Sequence, residues 1–138
     1  MRIKKSLFLI FHFSLLIFST ACSVKTTPIY AVIKTPKIKI ADEGFIKEGL
    51  GYKKLIIYKA ANKPIEITIK NSYICFNNKC IDKATFIHNY ISKTYPADFF
   101  DKILNYKCPS GFFCKSYKNK ILFKDNKKKI LIMIKEIK

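Results

Sequence analysis

The sequence predicts an α+β domain: an antiparallel sheet, flat or curled, with two short helices packed on one face. Three observations lead there. Ile65, Ile67 and Ile69 alternate with Glu66, Thr68 and Lys70, the period-two signature of a strand with one buried face. After Asp82 the period changes, and Phe86, Ile87, Tyr90 and Ile91 fall on one helical face, a spacing repeated by Phe99, Phe100, Ile103 and Leu104. Strand alternation then returns in Ile130, Ile132 and Ile134. Strands, then helices, then strands describe an α+β arrangement.

The individual elements follow in chain order. Residues 22–36, with Thr26, Thr27, Pro28, Thr35 and Pro36, read as an N-terminal tether, although Ile29, Tyr30, Val32 and Ile33 could pair as an edge strand. Residues 37–138 read as one domain. Residues 37–40 alternate as a strand; Asp42-Glu43-Gly44 reads as a turn, 45–47 as a short strand and Gly49-Leu50-Gly51 as another turn. Residues 53–59 form a strand, Asn62-Lys63-Pro64 turns the chain, and a strand at 72–76 ends at an Asn77-Asn78 hairpin tip. This half is an antiparallel meander. Asp82 or Thr85 caps the first helix. Tyr95-Pro96 interrupts, because proline disfavours helix in the residue before it, and Pro96 then opens the second helix. Residues 108–111 form a loop, and 112–117 fit either strand or loop. Residues 121–123 and 130–137 are strands joined by a turn at 125–128. Leu131 and Met133 give the last strand a second apolar side, so its middle reads as covered on both faces.

Residues 1–21 read differently. Arg2, Lys4 and Lys5 precede an apolar run at 7–18 broken only by His12 and Ser14. That run of 12 residues is short of the roughly 20 that span a bilayer, so the segment reads as a signal peptide. Ser19-Thr20-Ala21-Cys22 then resembles the lipobox of bacterial lipoproteins, with Ser19 where that motif usually carries an aliphatic residue. The resemblance implies cleavage before Cys22 and acylation of its thiol. The cysteine count agrees. Of Cys22, Cys75, Cys80, Cys108 and Cys114, lipidation removes the odd one and leaves four. Several acyl chains, at about 0.8 kcal/mol per buried CH₂, anchor a protein stably, with palmitate a typical chain. By resemblance to the sorting rule for such lipoproteins, Ser23 favours the outer membrane.

Removing Arg2, Lys4 and Lys5 from the full +18 leaves 24 lysines against 9 acidic residues, or +15, with no arginine. Richness in Lys, Ile, Asn, Phe and Tyr is the skew of an A/T-rich genome. Arginine is the preferred reader of base edges and phosphates, so its absence argues against a nucleic-acid partner. The charge reads first as a solvated lysine surface and second as attraction to anionic headgroups or surface polysaccharide.

An exported chain keeps its cysteines oxidised. Cys75 and Cys80 flank a hairpin tip, and Cys108 and Cys114 flank a Pro-Ser-Gly loop, so two local disulfides are the simplest of three possible pairings. The second spacing, C-x₅-C, fits zinc poorly, and no C-x-x-C supports a redox centre. No metal or other cofactor is implied. No nucleophile elbow, phosphate loop or H-E-x-x-H is present. His88 reads as a helix-surface residue. Asp98 and Asp101, three apart, read as lysine partners and helix caps rather than as an acid–base pair. The protein is expected to be non-catalytic. Aromatic residues crowd between 86 and 113, and Phe86, Tyr90, Phe99 and Phe100 read first as core and second as the lining of an apolar groove of acyl-chain size.

The leader ending Ala21-Cys22, Asp42-Glu43-Gly44-Phe45, the Ile74-to-Cys80 stretch, residues 99–104 and Phe123-Lys124-Asp125 together resemble small, functionally uncharacterised lipoproteins of the epsilonproteobacteria. At the level of architecture the chain is also similar to outer-membrane lipoprotein receptors, which have an acylated cysteine and a curved sheet closed by helices over an apolar cavity. These likenesses imply a membrane-anchored envelope module with a protein or envelope partner, or alternatively a handler of lipids or lipoproteins at the outer membrane.

Overall fold

The alternating segments resolve into nine antiparallel strands in a computed structural model, which describes residues 23–60 and 62–138. The leader and Cys22 lie outside the described residues. The strands are β1 (Lys25–Lys34), β2 (Lys39–Gly49), β3 (Tyr52–Ile57), β4 (Ile65–Ile69), β5 (Tyr73–Phe76), β6 (Lys79–Asp82), β7 (Phe113–Tyr117), β8 (Lys120–Asp125) and β9 (Ile130–Glu136). Two short helices, α1 (Lys83–Tyr90) and α2 (Phe99–Leu104), lie between β6 and β7. The fold is therefore dominated by its sheet. The spatial order is β6-β5-β4-β3-β2-β1-β9-β8-β7, so β6 and β7 are the two edges of an open sheet.

Residues 83–112 connect one edge to the other and must cross the interior to do so. Phe76 on β5 touches Phe86, Phe86 touches Phe100, Phe100 touches Phe99, and Phe99 touches Phe123 on β8, with no ring-to-ring step above 6.2 Å. Strands β5 and β8 stand six places apart, about 29 Å in a flat sheet at roughly 4.8 Å per strand. Four such steps fall short of that span, so the sheet wraps around the helical segment. Ile29, Ala31 and Ile33 on β1, Leu55 and Ile57 on β3, Ile67 on β4 and Ile132 and Ile134 on β9 turn inward and are fully buried.

The structure corrects the tether. Most of residues 22–36 form β1, which pairs with β2 from Lys25↔Glu48 to Lys34↔Lys39 and with β9 from Ile29↔Glu136 to Lys34↔Leu131. It is an internal strand with partners on both sides. Its threonines and prolines sit at the ends or face outward, while Ile29, Ala31 and Ile33 supply the buried face. The predicted turn at Asp42-Glu43-Gly44 is likewise continuous strand inside β2. Gly44 is there for contact: a Cβ at this position would lie 2.0 Å from the Ile56 carbonyl oxygen on β3. The last strand also differs from expectation. Ile130, Ile132 and Ile134 are buried, but Leu131 and Met133 remain half-buried on the outer face.

Local signals place the remaining elements. Asn77 and Asn78 both adopt positive φ, 47° and 72°, which asparagine tolerates and a tight hairpin requires. Asp82 caps α1, accepting from the Thr85 amide at 2.9 Å. Hydrogen bonds from the Thr85 hydroxyl first, and then from its amide, hold the Asp82 carboxyl below its usual range. At the crossing, Tyr95 is buried among Phe99, Phe112 and Phe123, and its hydroxyl donates to Asp125 at 2.5 Å. The Lys128 ammonium lies 4.9 Å from the Tyr95 ring centre, and Lys128 also donates to Ser92 and Thr94. Thr35, the buried polar residue of the β1–β2 turn, donates to the Tyr90 carbonyl at 2.8 Å and accepts from the Ile38 amide at 2.9 Å.

Two predictions follow from this packing. Gly44→Ala forces β2 from β3 and should cost about 3 kcal/mol in a urea titration. The Tyr95 hydrogen bond, ahead of other contacts, holds the Asp125 carboxyl below its ordinary value of 3.8. Burial first, then Asp125, push the Tyr95 phenol upward. Asp125 is thus more acidic folded than unfolded, so its contribution is present above pH 3.8 and lost as pH falls through the folded value. Tyr95→Phe keeps the ring and should lose about 1–2 kcal/mol at neutral pH. It should also flatten the acid limb of stability against pH, and an unchanged limb would count against the link.

Candidate functional site

The outward-facing residues of β2 to β6 build a cleft of about 600 Å³. Strand register assembles it. Lys47 opposes Lys54, Lys54 opposes Thr68, Thr68 opposes Cys75 and Cys75 opposes Cys80, so these five form one row across the outer face. In the next row Ile56 opposes Glu66, and Tyr52 and Lys70 stand on the other side. Ile56 is only 6% exposed although it points outward, because the surrounding side chains cover it. The hairpin tip is fixed to this floor by a reciprocal pair: the Glu66 amide donates to Asn77 Oδ1, and the Asn77 amide donates to the Glu66 carbonyl, both at 3.0 Å.

The electrostatics are one-sided. Lys47, Lys54 and Lys70 face a single carboxylate, Glu66, which lies 3.6 Å from Lys54 Nζ. Among the described residues, Lys47 and Lys70 make no ion pair. Lysines without ion-pair partners beside the Tyr52 ring and the Cys75–Cys80 bridge suit a ligand that carries an anionic group. The cleft contains no histidine, and no nucleophile in it stands beside a free base.

The residues singled out from sequence lie elsewhere. His88 is exposed on α1. Asp101 pairs with Lys83 at 2.8 Å and ties the second helix to the start of the first. Asp98 precedes α2 and pairs with Lys102 at 3.3 Å, but its side chain makes no capping hydrogen bond. These three do not form a common site, and among the described residues no three His, Cys, Asp or Glu side chains gather where a metal would bind. Phe86, Phe99 and Phe100 are fully buried and Tyr90 is half-buried. Phe86 stacks on Tyr90 with centroids 4.8 Å apart, and Phe99 meets Phe100 edge-on at 6.0 Å. The faces of these rings are spent on one another.

All four downstream cysteines are paired, Cys75 with Cys80 and Cys108 with Cys114. The first bridge joins directly opposed residues of β5 and β6 and forms part of the cleft wall. The second ties the loop after α2 to β7. Sequence reasoning missed the cleft itself. Its lysines were legible only as the polar halves of alternating strands, and the pairing that aligns Lys47, Lys54 and Lys70 is set by the whole sheet. Comparison with protein-family models, with curated proteins and with solved structures gave no match for this chain.

Replacing Cys75 and Cys80 together by serine should lower stability by about 2 kcal/mol, the loop-closure value for so short a bridge. Denaturant titration of the variant against the oxidised parent checks this, and equal midpoints would show that the bridge adds nothing.

Proposed function

We propose that the chain is a lipid-anchored lipoprotein of the bacterial cell envelope, attached through acyl chains on Cys22 to the outer membrane. Its domain is a non-catalytic binding module. The observation that carries this reading is the apolar leader ending at Ala21-Cys22, followed by an even set of four cysteines that pair locally. The lysine-walled cleft supports a binding role, because Lys47 and Lys70 bring it positive charge that no ion pair among the described residues offsets. Its partner is an anionic envelope component or the acidic surface of an envelope protein. The alternative, handling of lipids through an apolar cavity, has less support, because Phe86, Phe99 and Phe100 pack against each other.

The test is the intact mass of the protein extracted by detergent from its own host. The expected mass is that of residues 22–138 plus acyl chains, less four hydrogens for the two disulfides. A mass without acyl chains, or one that retains residues 1–21, would overturn the anchor.

A further inference from the structure

Resting on that lipid-anchor reading, we infer that one end of the sheet is itself a membrane-contact surface, which seats on an anionic phospholipid bilayer with Leu50 inserted among the lipids.

Strand register defines the two ends. β1 begins at Lys25, opposite Glu48, and the next pair outward across β2 and β3 is Gly49↔Tyr52. The Leu50-Gly51 hairpin tip therefore lies level with Val24, immediately beside the point where the chain arrives from Cys22. Lys70 pairs with Tyr73 across the β4–β5 turn at this same end, the Lys70 amide donating to the Tyr73 carbonyl at 3.0 Å. The curl of the sheet brings the β7–β8 hairpin to this end as well, where Lys118 lines one surface cleft together with Lys25, Glu48 and Glu136. Residues 35–38, 58–64, 77–78 and 126–129 turn at the far end.

The exposed apolar side chains are distributed unequally between these ends. Six large hydrophobic residues are exposed among those described, and four of them, Val24, Leu50, Tyr73 and Tyr117, occupy the end where the chain emerges. Leu50 is 101% exposed at the tip of its hairpin, held between Gly49 and Gly51, and Gly51 adopts φ +74°. A fully exposed leucine on a protruding turn gains nothing from the fold. Tyrosine favours the headgroup level, where its ring is buried and its hydroxyl stays wet. Lysines accompany them. Lys25, Lys70, Lys118 and Lys120 border the same end, and among the described residues none makes an ion pair. The Lys70 ammonium lies 5.2 Å from the Tyr73 ring centre. Unpaired lysines around apolar and tyrosine side chains match a surface with negative headgroups above acyl chains. The anchor strengthens the match. Only Ser23 and Val24 separate Cys22 from β1, so a bilayer that holds acyl chains on Cys22 lies within about 10 Å of this end, at roughly 3.4 Å per residue.

The chain has no tryptophan, so Leu50→Trp introduces a single reporter at the tip. The acylated protein, its acyl mass verified first, is placed in vesicles of phosphatidylethanolamine and phosphatidylglycerol carrying brominated acyl chains. Lys127→Trp, in the hairpin at the opposite end, serves as the comparison. The expected result is loss of emission from Leu50→Trp and none from Lys127→Trp. Equal emission from both, in protein of verified acyl mass, overturns the contact surface and leaves the anchor intact. Absence of acyl mass overturns the anchor instead. Unacylated protein then decides the surface alone: quenching of Leu50→Trp on the same vesicles upholds it, and its absence overturns it.

Discussion

The hydrogen bond from Tyr95 to Asp125 secures the step on which the architecture depends, the crossing of the chain from one sheet edge to the other. A segment that leaves β6 and must reach β7 has to traverse the interior, and its polar groups must find partners there. In the break between the two helices the Ser92 and Tyr95 amides donate to the Ile87 and Ser92 carbonyls, and the side chains of Ser92, Thr94 and Tyr95 meet the β8–β9 hairpin. Tyr95 fills the space under the sheet with its ring and reaches the rim with its hydroxyl. Asp125 and Lys128 then hold the crossing from outside. Thr35 does the equivalent at the end of α1, joining it to the β1–β2 turn.

The disulfides complete this arrangement at the places where it is weakest. An open sheet has two edges with unpaired backbone groups, and edge strands fray and invite pairing with other chains. Cys80 lies on β6 and Cys114 on β7, the two edge strands. Each bridge is too local to brace the whole domain, and each restrains the strand that has only one neighbour. The same bridge at β6 fixes one wall of the lysine cleft, so edge protection and cleft geometry are one feature of the chain.

How much was legible in the sequence depended on whether a signal was local. Strands β4 and β9 announced themselves by alternation, the asparagine pair marked its hairpin, and short spacings suggested the disulfide pairs that are present. Strand β1 was misread because Thr26, Thr27, Pro28, Thr35 and Pro36 gave it the composition of a linker, while its internal position comes from β2 and β9. Gly44 was misread for a related reason. Glycine after two acids suggests a turn, but here its missing Cβ accommodates the Ile56 carbonyl of a neighbouring strand. The cleft was illegible because its residues, spread from Lys47 to Cys80, converge only through the pairing of five strands.

The position of β1 also has a consequence for the order of assembly. Its neighbour β9 is the last strand of the chain, and Ile29 pairs with Glu136. Contacts so distant in sequence carry a large loop-closure cost and form slowly. A chain delivered N-terminus first can complete β2 to β6 and still leave one side of β1 bare until β9 arrives. Until then, the row through Tyr30, Val32 and Lys34 offers free backbone donors and acceptors to any passing strand. Folding is therefore a race between β9 and foreign partners for the open side of β1, and a product stalled before β9 would be the form most prone to aggregate.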